Sequence, residues 1–219
     1  MKKILIVLAC LLLCACSNIL NNRSEFDEIF VEDIVSENRA NNYTEYIEFY
    51  VPSDLSEESC DTLSYVFNID DCKVIMNVNV AAIINGKDFK IYALNNDGFF
   101  DEDKLIYSHE GKYTNINKEK LSYFFKAYEY DDNCLLYFVS NEVTIYGNCP
   151  KEKKILLADK IVQLAAGSNV NNSRVINDYS SKDVIDFNKK TVNLFENVFP
   201  VEGRVEEMMT DSTGEVPEE

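Results

Sequence analysis

The side chains with the widest chemical repertoire in this chain are its cysteines, and their spacing decides what they can do. Seven occur in 219 residues, three of them within the first sixteen and the others at Cys60, Cys72, Cys134 and Cys149. The later four include no CxxC pair, and the one histidine, His109, is far from all of them in sequence, so the ligand spacing of a zinc site is missing. Acids offer a second chemistry, because a glycosidase needs only two carboxyl groups. Asp70-Asp71, Asp131-Asp132 and Asp101-Glu102-Asp103 are the candidates, but adjacent acids in a turn point into water, with nothing to raise one pKa above the other. The stretch NNDGFFDEDK, residues 95 to 104, fails as an EF-hand. With Gly98 at the sixth loop position, the first and twelfth are Ala93 and Lys104, where Asp and Glu are required. It reads as an ordinary acidic turn. His109, beside a predicted turn at Glu110-Gly111, reads as an exposed strand-end residue, and alone it makes no Ser-His or Cys-His nucleophile. No P-loop, GxSxG, HExxH or dinucleotide fingerprint occurs. The expectation is a non-enzymatic protein with no catalytic residue, metal or cofactor.

The amino-terminal cysteines have a different meaning. MKKILIVLACLLLCAC places two lysines before an apolar run from Ile4 to Leu13 and ends in Leu13-Cys14-Ala15-Cys16. A charged start, a short apolar stretch and a small residue before a cut are the parts of a secretory signal peptide, and the run is too short to span a bilayer. With a cysteine after the cut, the stretch resembles the lipobox of bacterial lipoproteins. The resemblance implies removal of residues 1–15, lipidation of Cys16, and a place outside the cytoplasm, on the outer face of the plasma membrane or on the outer membrane where the envelope is double. Two acyl chains at about 0.8 kcal/mol per CH2 suffice for stable anchoring. Removing the leader takes two of the 21 basic residues and none of the 38 acids, leaving a net charge of −19. Phosphates repel such a chain, which excludes nucleic acid and close contact with anionic lipid, so the partners expected are the membrane through the anchor and a protein.

Export also bears on the remaining thiols, since four cysteines on an exported chain read as two disulfides. If Asn141 and Glu142 form a two-residue hairpin loop, Ser140 pairs with Val143 and Cys134 falls opposite Cys149. Facing Cα atoms in such a pair are about 4.5 to 5.5 Å apart, within disulfide reach. That leaves Cys60 with Cys72; the alternative connectivity joins Cys60 to Cys149 and Cys72 to Cys134.

The elements that would position these groups follow from periodicity. Residues 16–42 read as the anchor and a polar tether holding one short helix, capped by Ser24, with Phe26, Ile29, Phe30 and Ile34 on one face. A single domain is expected over 43–200. Its predicted strands are a segment around Ile47, Phe49 and Val51, then Leu63 to Ile69, Lys73 to Ile84, and Asp88 to Leu94 after an Asn85-Gly86 hairpin. Next come a hairpin around Glu110-Gly111, a helical turn at Lys118 to Leu121, a strand from Tyr123 to Tyr130, and the hairpin of CLLYFVS with VTIYGNC. A helix carries Leu157, Ala158, Ile161, Leu164 and Ala165 at its spacing and ends at Gly167; a polar loop then leads to a second helix over 181–199. Its stripe of Val184, Phe187, Leu194, Phe195 and Val198 packs on the sheet or docks a partner. Residues 201–219 read as a disordered acidic tail.

The fold class expected is α+β, an antiparallel sheet of about 6–8 strands in meanders and hairpins, covered by two C-terminal helices; its outline faintly resembles the PsbP-like domains of some lipoproteins. Two functions follow: a lipid-anchored binding or envelope-assembly module, or a lipoprotein that acts on a small molecule or glycan, as a binder ahead of an acid-dependent hydrolase.

Overall fold

The computed structural model describes residues 25–30, 34–86 and 100–180. The chain divides into two units, Met1–Glu32 and Asp33–Glu219. The first has one described element, the short helix α1 (Asp27–Phe30), opened by an Ile29 N–H donated to the Phe26 carbonyl at 3.0 Å. Cys16, the predicted cap Ser24, the strand at 88–94, the face built on Val184, Phe187, Leu194, Phe195 and Val198, and the tail at 201–219 lie outside the described residues.

In the second unit, alternation of apolar and polar side chains gives two runs of strands that share one sheet. The first run is β4 (Ser56–Asp61), β5 (Ser64–Ile69) and β6 (Cys72–Val78); the second is β7 (Leu105–Thr114), β8 (Lys120–Tyr130), β9 (Asn133–Ser140) and β10 (Val143–Pro150). Each run is an antiparallel meander, and they meet where β10 pairs with β6, giving the order β7-β8-β9-β10-β6-β5-β4. The short β1 (Ile34–Val35) lies parallel to β7, which makes the sheet mixed. A smaller sheet of three strands has β3 (Ile47–Phe49) between β2 (Asn42–Tyr43) and β11 (Ser168–Val170). The fold is therefore α+β around a large sheet, with helices distributed along the chain: α2 (Val80–Asn85), α3 (Lys154–Ala166) and α4 (Asn172–Tyr179).

Both faces of the central strands are covered, which explains the apolar run Leu135–Val139 in β9. On one face lies α3, which buries the predicted Leu157, Ala158, Ile161, Leu164 and Ala165. It approaches β10 so closely at Gly147 that an added Cβ would stand 2.8 Å from Ile161 Cδ1 and 2.9 Å from Leu157 Cδ2. Phe49 packs its ring on Tyr65 at 4.8 Å on the same face, so the small sheet shares that core. The other face carries Val66, Ile75, Leu135, Val139 and Tyr146 with Ala82 of α2, and Phe100 stacks on Tyr128 at 4.7 Å.

Several expectations are corrected. The strand predicted over Lys73 to Ile84 stops at Val78, because its partner β10 runs out of residues. Asn79 donates its backbone N–H to the Glu142 carbonyl at 2.8 Å as the last rung. Its side chain then accepts from the Ala82 N–H and caps α2. Gly86 does adopt the left-handed conformation, at φ 58°, but as the C-cap of that helix and not in a hairpin. The turn expected at Glu110-Gly111 is absent: β7 runs unbroken along β8, and Gly111 faces Tyr123, whose hydroxyl would lie 3.0 Å from an added Cβ. The glycine there serves close packing. The predicted helical turn at Lys118 to Leu121 is instead a tight loop organised by Asn115, with Lys118 at φ 66°. The loop expected at 168–180 contains β11 and α4, the latter capped by the Asn171 side chain on the Arg174 N–H at 3.1 Å. The strand β4, unpredicted, is an exposed polar edge whose acids keep it from pairing onward.

Candidate functional site

The β7–β8 loop, the small sheet and the start of α4 converge at one end of the unit, where they form a cleft of about 510 Å³. Its organising residue is Asn115, fully buried, whose side-chain oxygen accepts the Asn117 and Glu119 N–H groups at 3.0 and 2.9 Å. This Asx turn aims Asn117 and Glu119 at the cleft. Opposite them, β3 presents Glu48, whose Oε1 accepts from Asn169 Nδ2 at 3.0 Å and from Asn117 Nδ2 at 3.4 Å. Asn169 in turn receives the Asn115 amide at 3.4 Å, so one chain of amides fixes the wall. Glu45 at the rim is paired with Arg174, which also binds Asp178 through Nε at 2.8 Å. Tyr43, 70 % exposed, stands at the mouth.

Behind this wall lies Glu142, in the β9–β10 turn and only 2 % exposed. Its carboxyl oxygens lie near the Val170 N–H and the Asn115 and Asn172 amides without reaching hydrogen-bond geometry with any of them. Burial, with the Glu119 charge as a smaller cause, pushes its pKa up to about 7. The backbone around it is fully engaged: Ser140 Oγ accepts the Glu142 and Val143 N–H groups at 3.3 and 3.1 Å, donates to the Val143 carbonyl and meets the Tyr113 hydroxyl. These bonds fix the backbone of the turn that carries the acid.

At the other end of the same hairpin the cysteines appear. The deduced register holds, with Cys134 opposite Cys149. All four later cysteines are thiols in the structure. Cys60 faces Tyr65, which faces Met76, so it stands four residues along and two strands across from Cys72. At about 3.3 Å per residue and 4.8 Å per strand the pair is roughly 16 Å apart, well past disulfide reach. The expected Cys60–Cys72 bond is therefore excluded, and so is Cys60–Cys149, one strand further away. Cys72 and Cys134 have β10 between them, about 10 Å, which excludes that bond too.

The other residues with expected chemistry are also located. His109 is mid-strand and half-buried, not exposed at a strand end; its Nδ1 is 3.1 Å from the Tyr123 hydroxyl and its ring stacks on Tyr107. Asp70 and Asp71 are exposed turn residues paired with Lys153, and Asp101 caps the 3-10 turn Glu102–Lys104. Among the described residues no three His, Cys, Asp or Glu side chains converge to hold a metal ion, and no helix is long and apolar enough to cross a membrane. Sequence reasoning missed Glu142, since an acid beside Asn141 reads as a solvated turn. The one signal near it was the density of asparagines at 115, 117, 169, 171 and 172. Compared with known proteins, the chain matches no family model, no curated protein and no solved structure.

Proposed function

We propose that this chain is an extracytoplasmic lipoprotein, anchored through Cys16, whose second unit binds without transforming a small ammonium-bearing solute such as an amino sugar or polyamine. The observation that supports binding is the cleft itself. Glu45, Glu48 and Glu119 line it with the amides of Asn117, Asn169 and Asn172, and its described lining contains no lysine or arginine. Carboxylates accept from an ammonium group, amides serve hydroxyls as donor and acceptor, and a net charge of −17 draws cations and repels anions. Glu142 sits behind the lining, out of reach of a bound molecule, which favours a binding role over an acid-dependent hydrolase. A PsbP-like outline belongs to the same proposal as a matter of shape: a strand meander, β7 to β10, with a helix across it.

Calorimetric titration of the purified full chain with glucosamine and spermidine, against glucose and glucose phosphate, tests the cleft. The ammonium compounds bind, the phosphate ester does not, and Glu48→Gln weakens binding at least several-fold. Heat from none of the ammonium compounds, or binding indifferent to Glu48→Gln, overturns this reading. The anchor is tested separately by feeding cells a labelled fatty acid: wild-type chain takes up label and Cys16→Ala does not. Unlabelled wild type overturns it.

A further inference from the structure

One more step along the β10–β6 ladder, whose last paired residues are Asn148 and Lys73, brings Cys149 opposite Cys72. Cys149 is therefore flanked on both sides, by Cys134 of β9 and Cys72 of β6, and the three thiols form a row across the sheet. Side chains that face each other across antiparallel strands share a face, and Gly147, two residues before Cys149, faces α3. The row lies on that face, buried in every member. The Cys149 thiol donates to the Cys134 carbonyl at 3.9 Å, and the Cys72 and Cys149 thiols lie close enough to influence each other's titration.

The two neighbours are not equivalent. In an antiparallel sheet each residue directs both its N–H and its C=O to one side, and the side alternates along the strand. Glu142 directs its carbonyl to Asn79, on the β6 side. Odd-numbered residues of β10, Cys149 among them, then point to β9. Cys149 thus meets Cys134 at a hydrogen-bonded position, with Cα atoms about 5.5 Å apart, and Cys72 at a non-hydrogen-bonded one, about 4.5 Å apart with the side chains closer. The second geometry suits a disulfide, whose Cβ atoms are typically about 3.5 to 4.5 Å apart.

We propose that oxidation of this protein joins Cys72 to Cys149 and leaves Cys134 a thiol beside the bond. The oxidant is a small-molecule or protein disulfide, RSSR. The Cys149 thiolate attacks one of its sulfurs, releasing RS⁻ and forming a mixed disulfide; the Cys72 thiolate then attacks Cys149 Sγ and releases the second RS⁻. Two protein thiols are oxidised, one oxidant disulfide is reduced to two thiols, and the two protons end on the leaving groups. Because all three sulfurs are buried, with their thiol pKa values raised by that burial, the exchange proceeds while β6 and β10 are coming together or when their ends open. The consequence is architectural. A Cys134–Cys149 bond would close a hairpin already held by its two-residue turn, whereas Cys72–Cys149 staples the seam where the two meanders join.

The test oxidises the full chain with oxidised glutathione during refolding, blocks residual thiols with iodoacetamide, and maps cross-linked peptides by mass spectrometry without reduction. The expected result is a peptide joining residues 72 and 149, present also in Cys134→Ala. The thermal midpoint of the oxidised form should exceed that of the reduced form by on the order of 10 °C in both proteins, because the closed loop is long. Cys72→Ala should lose that gain. A principal cross-link between residues 134 and 149, or no cross-link within the row, overturns the proposal, and because the wild-type map decides between them, a variant that fails to fold does not obscure the outcome.

Discussion

The β9–β10 hairpin buries an acid at its turn and thiols at its open end, and the same burial, raising the pKa at both, matters for stability at only one. At the turn, Glu142 loses water, and the Val170 N–H and the Asn115 and Asn172 amides beside it offset that loss only in part, so its ionised form is disfavoured and its pKa rises to about 7. At the open end, Cys134 is held equally dry and its pKa is pushed up to about 12. The thiol is neutral at physiological pH in either setting, so its shift does not touch stability there; the acid titrates within the physiological range, so its shift does. One end is quiet and suited to a staple. The other carries a desolvation cost, only partly offset, directly behind a cleft of acids and amides.

The largest effect is expected from removing that cost. Glu142 titrates near 4.5 unfolded and near 7 folded, so between those values the folded state holds more protons and stability falls as pH rises. The loss across the window is about 3 kcal/mol, since one pKa unit is worth about 1.4 kcal/mol. Glu142→Gln should be flat across it, about equal to wild type at pH 4 and more stable by up to that amount at pH 8, as read from urea denaturation at several pH values. Parallel pH profiles for the two proteins would erase the contrast between the ends. Second in size is Gly147→Ala, midway along the hairpin, where the new methyl meets Ile161 and Leu157. Overpacking there should cost about 1 to 3 kcal/mol, equally at pH 4 and pH 8. A pH-dependent loss would mean that the middle of the hairpin communicates with Glu142.

How much of this could be read from residues alone differs between the ends. The Cys134–Cys149 register was legible, because a two-residue turn fixes every pair behind it and the alternation of β9 and β10 is clean. So was α3, whose five inward residues repeat at helical spacing. The third member of the row was not: Cys72 joins it through β10–β6 pairing, a contact between meanders that no local pattern announces. Asn79 shows the same limit, since apolar alternation continues through Ile84 and only the end of the partner strand stops β6. The cleft was hidden for a different reason. Its residues come from two loops, three short strands and the start of a helix, with Asn and Glu that local reading assigns to solvent; Glu142 is buried because other segments cover its turn. Polar edge strand β4 escaped because periodicity needs apolar residues to register.

The smallest effect should come from the charges over the cysteine row, and its sign is what makes it useful. Lys153 pairs with Asp70 and Asp71, and the hydrogen bond from Lys153 is the main cause that lowers the Asp71 pKa. A depressed carboxyl pKa contributes stability that is present at neutral pH and lost as pH falls through the folded value, the reverse of Glu142. The aspartates are more than half exposed, so solvent and salt screen the pairs. Lys153→Ala should therefore lower the denaturation midpoint slightly at pH 7 in low salt, by less than Gly147→Ala does. The deficit should shrink as pH falls through the folded pKa of Asp71, which Lys153 holds below the ordinary carboxylate range, and should vanish in roughly 1 M salt, where the screening length falls to about 3 Å. A deficit that persists under both conditions would show that the lysine acts through its packed stem over the end of the hairpin and not through charge. The thiol row would then depend on that cover, and the contrast between a titrating end and a quiet one would need to include it.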